Sequence, residues 1–225
     1  MLCTLIIVNL LSRKQKQQVI RRQQQRQLRL KIEELGDLVG CLDSTLPNRT
    51  ITQLFNQRLI AQLKTLLDIE KNNKAYIEVA IQKAEAHSAR LLNPNEHPTI
   101  SYQKDSDTQI AQTQTYLKAA LALLPQLVAQ GLIDETELIA ITQELRWAHL
   151  MVGAMSLIEQ GRKAMASSDR FTAYEFYRKA QQQLLESFHQ DSKRLTLIKE
   201  LSQLIDGSRT SLSNEFDSPS LTPLQ

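Results

Sequence analysis

The chain has 225 residues, 42% of them hydrophobic, with 27 basic and 24 acidic side chains and a net charge of +3. Six glycines and six prolines are few for this length, and two cysteines, Cys3 and Cys41, exclude a disulfide framework and a cysteine metal knuckle. Abundant Leu, Gln, Ala, Lys, Arg and Glu beside scarce Val point to an all-α fold, a bundle of antiparallel hairpins behind a long N-terminal helix.

Residues 1–11, MLCTLIIVNLL, are apolar apart from Thr4 and Asn9. A membrane-spanning helix needs about 20 such residues. The run also lacks the basic leader and small-residue cleavage site of a secretory signal. It reads as a short anchor dipping into the bilayer, as the remnant of a longer anchor, or as an apolar end buried against the body. The next block decides between them. Arg13, Lys14, Lys16, Arg21, Arg22, Arg26, Arg29 and Lys31 follow with no acid among them, leaving 19 basic against 24 acidic residues elsewhere. Cations just after an apolar segment stay on the cytoplasmic side and are drawn to anionic lipid. Arg13, Lys14, Lys16, Arg21 and Arg22 are the expected lipid-facing set. Residues 1–31 should therefore project as an arm, without packing into the body, and hold the protein at the inner or plasma membrane with its body in the cytoplasm. A soluble cytoplasmic protein is the alternative.

Residues 12–45 read as one long helix, polar nearly all round in its first half. From Leu28 the apolar positions Leu28, Ile32, Leu35, Val39 and Leu42 step 4, 3, 4, 3. That is a packing face or a short coiled-coil seam through which a second copy could pair. STLPNRT breaks the chain at Pro47 and Asn48. Helices over 50–71 and 74–92 complete a helical region spanning 32–92. The stretch 93–107, NPNEHPTISYQKDSD, has two prolines and several turn formers and reads as the linker between domains.

A C-terminal helical domain should occupy 108–207. Its first helix, 108–130, carries Pro125, which should kink or break it. Gly131 stops that helix, and Asp134 with Glu137 three residues on is a capping pair for the next. There Leu138, Ile141, Leu145, Ala148, Val152 and Met155 form one stripe. A turn at SSDR leads into a second helix ending near Ser187. A last helix ending at Gly207 should face inward with Leu195, Ile198, Leu201 and Ile205. Residues 208–225, rich in Ser and Thr, read as a disordered tail.

Within this domain Leu157, Gly161, Ala164, Ala173, Tyr177 and Ala180 fall at offsets 0, 4, 7, 16, 20 and 23. Over residues 154–187 this resembles a tetratricopeptide repeat, a helical hairpin of about 34 residues with small residues where its helices touch. The match is to a single repeat, with Leu157 in place of a large aromatic and no closing proline. The resemblance implies that Leu157, Gly161, Ala173, Tyr177 and Ala180 pack the hairpin.

No Gly-rich phosphate loop, nucleophile elbow or His-Glu-x-x-His motif occurs, so a non-enzymatic protein without a cofactor is expected. Glu186 and His189 make one Glu-x-x-His, whereas a di-metal bundle needs two with further glutamates. His87, Glu96 and His97 have no regular ligand spacing. His149, beside Trp147, suits a packing histidine. Five of the eleven aromatics fall between 171 and 188: Phe171, Tyr174, Phe176, Tyr177 and Phe188. Arg170, Tyr174, Arg178 and Lys179 are the expected lining of a protein-binding groove. The chain thus reads as a membrane-tethered helical interaction or scaffold protein whose partner is another protein. A nucleic-acid binder using the basic arm is the alternative, and an enzyme without a recognisable motif is the other.

Overall fold

The computed structural model describes residues 2–70, 74–96 and 100–217, and the side chains among them except those of 2–18, 21 and 217. Arg13, Lys14, Lys16 and Arg21, His97 and the last eight residues of the expected tail lie outside that description. Among the described residues the protein is all-α, without a strand. The helices are α1 Leu2–Thr45, α2 Arg49–Ile69, α3 Lys74–Leu91, α4 Asp107–Ala129, α5 Glu135–Ala166, α6 Arg170–Glu186, α7 Ser192–Ile205 and the single turn α8 Asn214–Asp217. Helices next to each other in the chain pack antiparallel in pairs. None of the described helices is long and apolar enough to cross a membrane.

The chain divides into two compact units: residues 1–37 with 53–93, and residues 38–52 with 94–225. Residues 38–52, the end of α1 and the start of α2, thus group with the C-terminal part of the chain.

The first unit is built on the α2–α3 pair. Leu63 and Leu66 bury against Ile77, Ile81 and Ala84, and Leu28 and Ile32 of α1 pack on the same cluster. Asn56 Nδ2 donates to the Ala84 carbonyl and to Ser88 Oγ, each at 2.8 Å, which satisfies a fully buried amide. The basic arm is not wholly free of the body, against expectation. Gln25 Nε2 donates to the Ile69 carbonyl at 3.2 Å, and Arg29 pairs with Glu70. These two side chains, one turn apart, meet the C-terminal end of α2, where the last carbonyls have no partner within the helix. Leu28 lies between them and supplies the apolar contact.

The second unit is centred on α5, in which every residue from Met151 to Ser156 is buried. Asp134 caps it: Glu137 N–H donates to Asp134 Oδ1 at 2.7 Å and Asp134 N–H to Glu137 Oε2 at 2.9 Å, the reciprocal pair expected from the spacing. Gly131, at φ +67°, ends the preceding turn as expected. Pro125 does not break α4, which runs through it.

Leu38, Val39, Leu42, Leu46 and Ile51 are buried. Of the seam read from Leu28 to Leu42, Leu35, Val39 and Leu42 are buried within the chain, and Leu28 and Ile32 are half-buried. Asn48 fixes the α1–α2 corner to α5: its N–H and Nδ2 donate to the Glu144 carboxylate at 3.1 and 3.2 Å. The stretch read as a linker is partly core. Ile100 and Tyr102 are buried, and Ser156 Oγ donates to the Tyr102 carbonyl while accepting from Lys104 N–H.

Two further expectations are corrected near the C-terminus. In α7 the inward residues are Leu197, Leu201 and Leu204, while Leu195 is 60% exposed. Residues 208–217 are ordered: Leu212 and Phe216 are buried, and Arg209 Nη1 and Ser213 N–H both reach the Glu200 carboxylate, at 3.1 and 2.9 Å.

Candidate functional site

The α5–α6 hairpin is the scaffold of the site. A Cβ added to Gly161 would lie 2.5 Å from Tyr177 Cε1, so the tyrosine ring occupies the space that a side chain would need. Ala173 and Ala180 are fully buried on the same face, and Tyr177 is 4% exposed. Gly161 and Tyr177 meet directly, and Ala173 and Ala180 are buried on the Tyr177 face of α6. Leu157 is only half-buried, at its margin.

Along α5 from this contact, Gly153 opens a second close approach. A Cβ there would lie 2.7 Å from Gln183 Oε1 of α6 and 3.0 Å from Gln114 Nε2 of α4. Gln114 also donates to the His149 carbonyl at 3.4 Å. The two glutamines thus reach over α5 from either side. Towards the start of α5, the connection after α6 crosses back: His189 Nε2 donates to the Gln143 carbonyl at 3.1 Å, and its ring packs on Trp147 with centroids 5.1 Å apart. Asp191 N–H donates to His189 Nδ1 at 3.3 Å, which sets the tautomer with the proton on Nε2.

Between these two crossings lies a cleft of about 620 Å³. Its floor is α5 and its walls are α4 and α6. Lys118 and Leu121, Arg146 and Leu150, Glu186 and Phe188 line it. Phe188 is 98% exposed, an apolar ring left in solvent at the mouth of a concave site. Burial, reinforced by Lys118, holds the His149 pKa below its ordinary value. Its Nε2 is buried without a hydrogen-bond partner among the described residues.

The structure does not bring the expected protein-binding residues into this cleft. Arg170, Tyr174 and Arg178 recur every four residues on one flank of α6, and Arg178 pairs with Glu175 at 3.2 Å. Lys179 turns about 100° away and lies over the Phe176 ring, 5.7 Å from its centroid. Glu186 and His189 do reach the cleft, but their polar atoms face Gln182, Gln143 and Asp191. No group of three or more His, Cys, Asp or Glu placed to hold a metal occurs among the described residues.

Sequence reasoning missed Gln114, Lys118, Gln143, Arg146 and Gln183. The signal that could have found them is Gly153, a glycine in mid-helix where Ala would be about 1 kcal/mol better. Compared with known proteins, the chain matches no family model, no curated protein and no solved structure.

Proposed function

We propose that the protein is a helical interaction protein, held at an anionic membrane surface by its basic N-terminal helix, whose cleft receives a short segment of another protein on the cytoplasmic side. The observation that carries this reading is the cleft over α5. From Gln143 to Gly153 its floor runs about 15 Å, enough for about four or five extended residues. Its volume falls within the range of about 300–1,000 Å³ usual for ligand sites. The apolar parts, Leu121, Leu150 and Phe188, can anchor side chains, and the surrounding amides can fix a backbone. A concave site with an exposed aromatic suits the binding of a peptide side chain. The α5–α6 pair serves in this reading as a single tetratricopeptide-like hairpin that stiffens the floor.

The membrane half rests on sequence, since Arg13, Lys14, Lys16, Arg21 and Arg22 follow an apolar run. Each cation near an anionic surface contributes about 1 kcal/mol. Two measurements test the proposal. A photo-crosslinking residue at Phe188 should yield a discrete adduct in cells, whereas one at Tyr76, also exposed but on α3, should not. Equal labelling from both positions would remove the cleft from the reading. Vesicles containing phosphatidylserine should retain the full chain at low salt and lose a chain lacking residues 2–24. Equal retention of the two would remove the arm.

A further inference from the structure

We infer that the segment taken into the cleft is an acidic peptide, bound extended along α5 with a carboxylate between Lys118 and Arg146. The inference rests on the docking reading and adds the chemistry of the occupant.

Charge complementarity comes first. Lys118 of α4 and Arg146 of α5 are the cations of the lining, and Glu186 is its one carboxylate. Gln182 Nε2 already donates to Glu186 Oε1 at 2.8 Å. His149 adds no compensating anion, and the lining carries a net positive charge. The antiparallel run of α4 and α5 brings Gln114 to His149. One turn along α4 therefore carries Lys118, on the wall, towards Arg146 on the floor.

The amides set the conformation. Gln114, Gln143, Gln183 and Gln190 line the cleft, and an amide side chain can both donate and accept. A helical ligand has already satisfied its backbone groups internally and has little use for them. An extended peptide presents free N–H and C=O groups at intervals and can use such amides. Phe188, exposed and lining the same cleft as Leu121, then offers an apolar anchor for a neighbouring side chain of the peptide.

The test is selection from a bead-bound library of capped random hexapeptides with the full chain. The selected peptides are then titrated using the fluorescence of Trp147, the single tryptophan, whose ring packs on His189 at the cleft. Selection should enrich Asp or Glu beside an apolar residue. Replacing that acid by Asn or Gln should weaken binding about fivefold, the upper end for an exposed ion pair. The Lys118→Glu/Arg146→Glu double variant should instead enrich Lys and Arg. Its circular dichroism and melting should match the parent, because both side chains are exposed. If it fails to fold, Lys118→Gln and Arg146→Gln singly should each weaken the acidic peptide. Enrichment of neutral or basic peptides, or acidic peptides indifferent to these variants, would overturn the acidic occupant and leave docking standing. No enrichment by the parent chain would overturn docking as well. Displacement of the peptide by a single-stranded oligonucleotide at equal concentration would point to a nucleic acid and refute the inference.

Discussion

At the scale of single residues, the tightest contact is Gly161 against Tyr177. Gly161→Ala gains about 1 kcal/mol of helix propensity but drives a methyl to 2.5 Å from a ring carbon. The ring is wedged between helices and cannot swing aside as a lysine tip would. The clash should win, with a net loss of about 1–2 kcal/mol. Pairing Gly161→Ala with Tyr177→Leu should recover part of that loss, and thermal melts of the three variants would show the coupling. Cys41 offers a second check. Burial pushes its thiol up to about 11, and the thiolate is the reactive form. In a Cys3→Ser background at pH 7.5, iodoacetamide should label the folded chain much more slowly than the chain in denaturant. Equal rates would contradict the burial.

Acid response follows from two groups of opposite sign. Burial lowers the folded pKa of His149 below 6.5. Above that value both states are neutral there. As pH falls through it, the unfolded chain takes the proton first and stability drops until the folded pKa is reached. Burial raises the folded pKa of Glu144 above 4.5, even though Asn48 donates to it. Falling pH through that raised value protonates the fold first and restores stability, down to the unfolded 4.5. Melting temperatures between pH 7 and 4 should therefore fall less steeply below pH 6.5 in His149→Gln than in the parent. An unchanged slope would mean that the imidazole is as free in the fold as in the unfolded chain.

At the scale of elements, the helix boundaries were largely legible because capping residues and periodicity are local. Asp134, Glu137 and Gly131 show this at the start of α5. The face of α7 was not legible. Leu195, Ile198, Leu201 and Ile205 form one stripe, and Leu197, Leu201 and Leu204 form another, sharing Leu201. Periodicity weighs them equally, and only the partners decide. Gln181 of α6 bonds the Ile198 carbonyl and Ser202 Oγ, and Leu212 and Phe216 are buried where a disordered tail was expected. Their Ser- and Thr-rich surroundings hid them. Phe216→Ala should cost about 3 kcal/mol, or about 6–12 °C in melting temperature for a chain of this size. A truly disordered tail would show no change. The cleft was illegible for a related reason: it is assembled from segments around 114, 146 and 186, and no short window of sequence holds more than one wall.

At the scale of the whole molecule, residues 38–52 lie with the C-terminal unit while the chain on either side of them lies with the other. A fragment 94–217 lacks Leu42, Leu46 and Ile51, all buried in the full chain, and also the Asn48 clamp on Glu144. It should be less stable than a fragment 38–217, and urea unfolding of the two would measure the difference. The same sharing bears on synthesis. The α2–α3 pair is finished once residue 93 has left the ribosome, and it can close at that moment. Leu42 and Leu46 have emerged earlier still, yet the helices of their unit are translated afterwards. During that interval the nascent chain exposes a greasy corner while its other unit can already be folded, a natural foothold for a holding chaperone and the point at which translation speed would matter most.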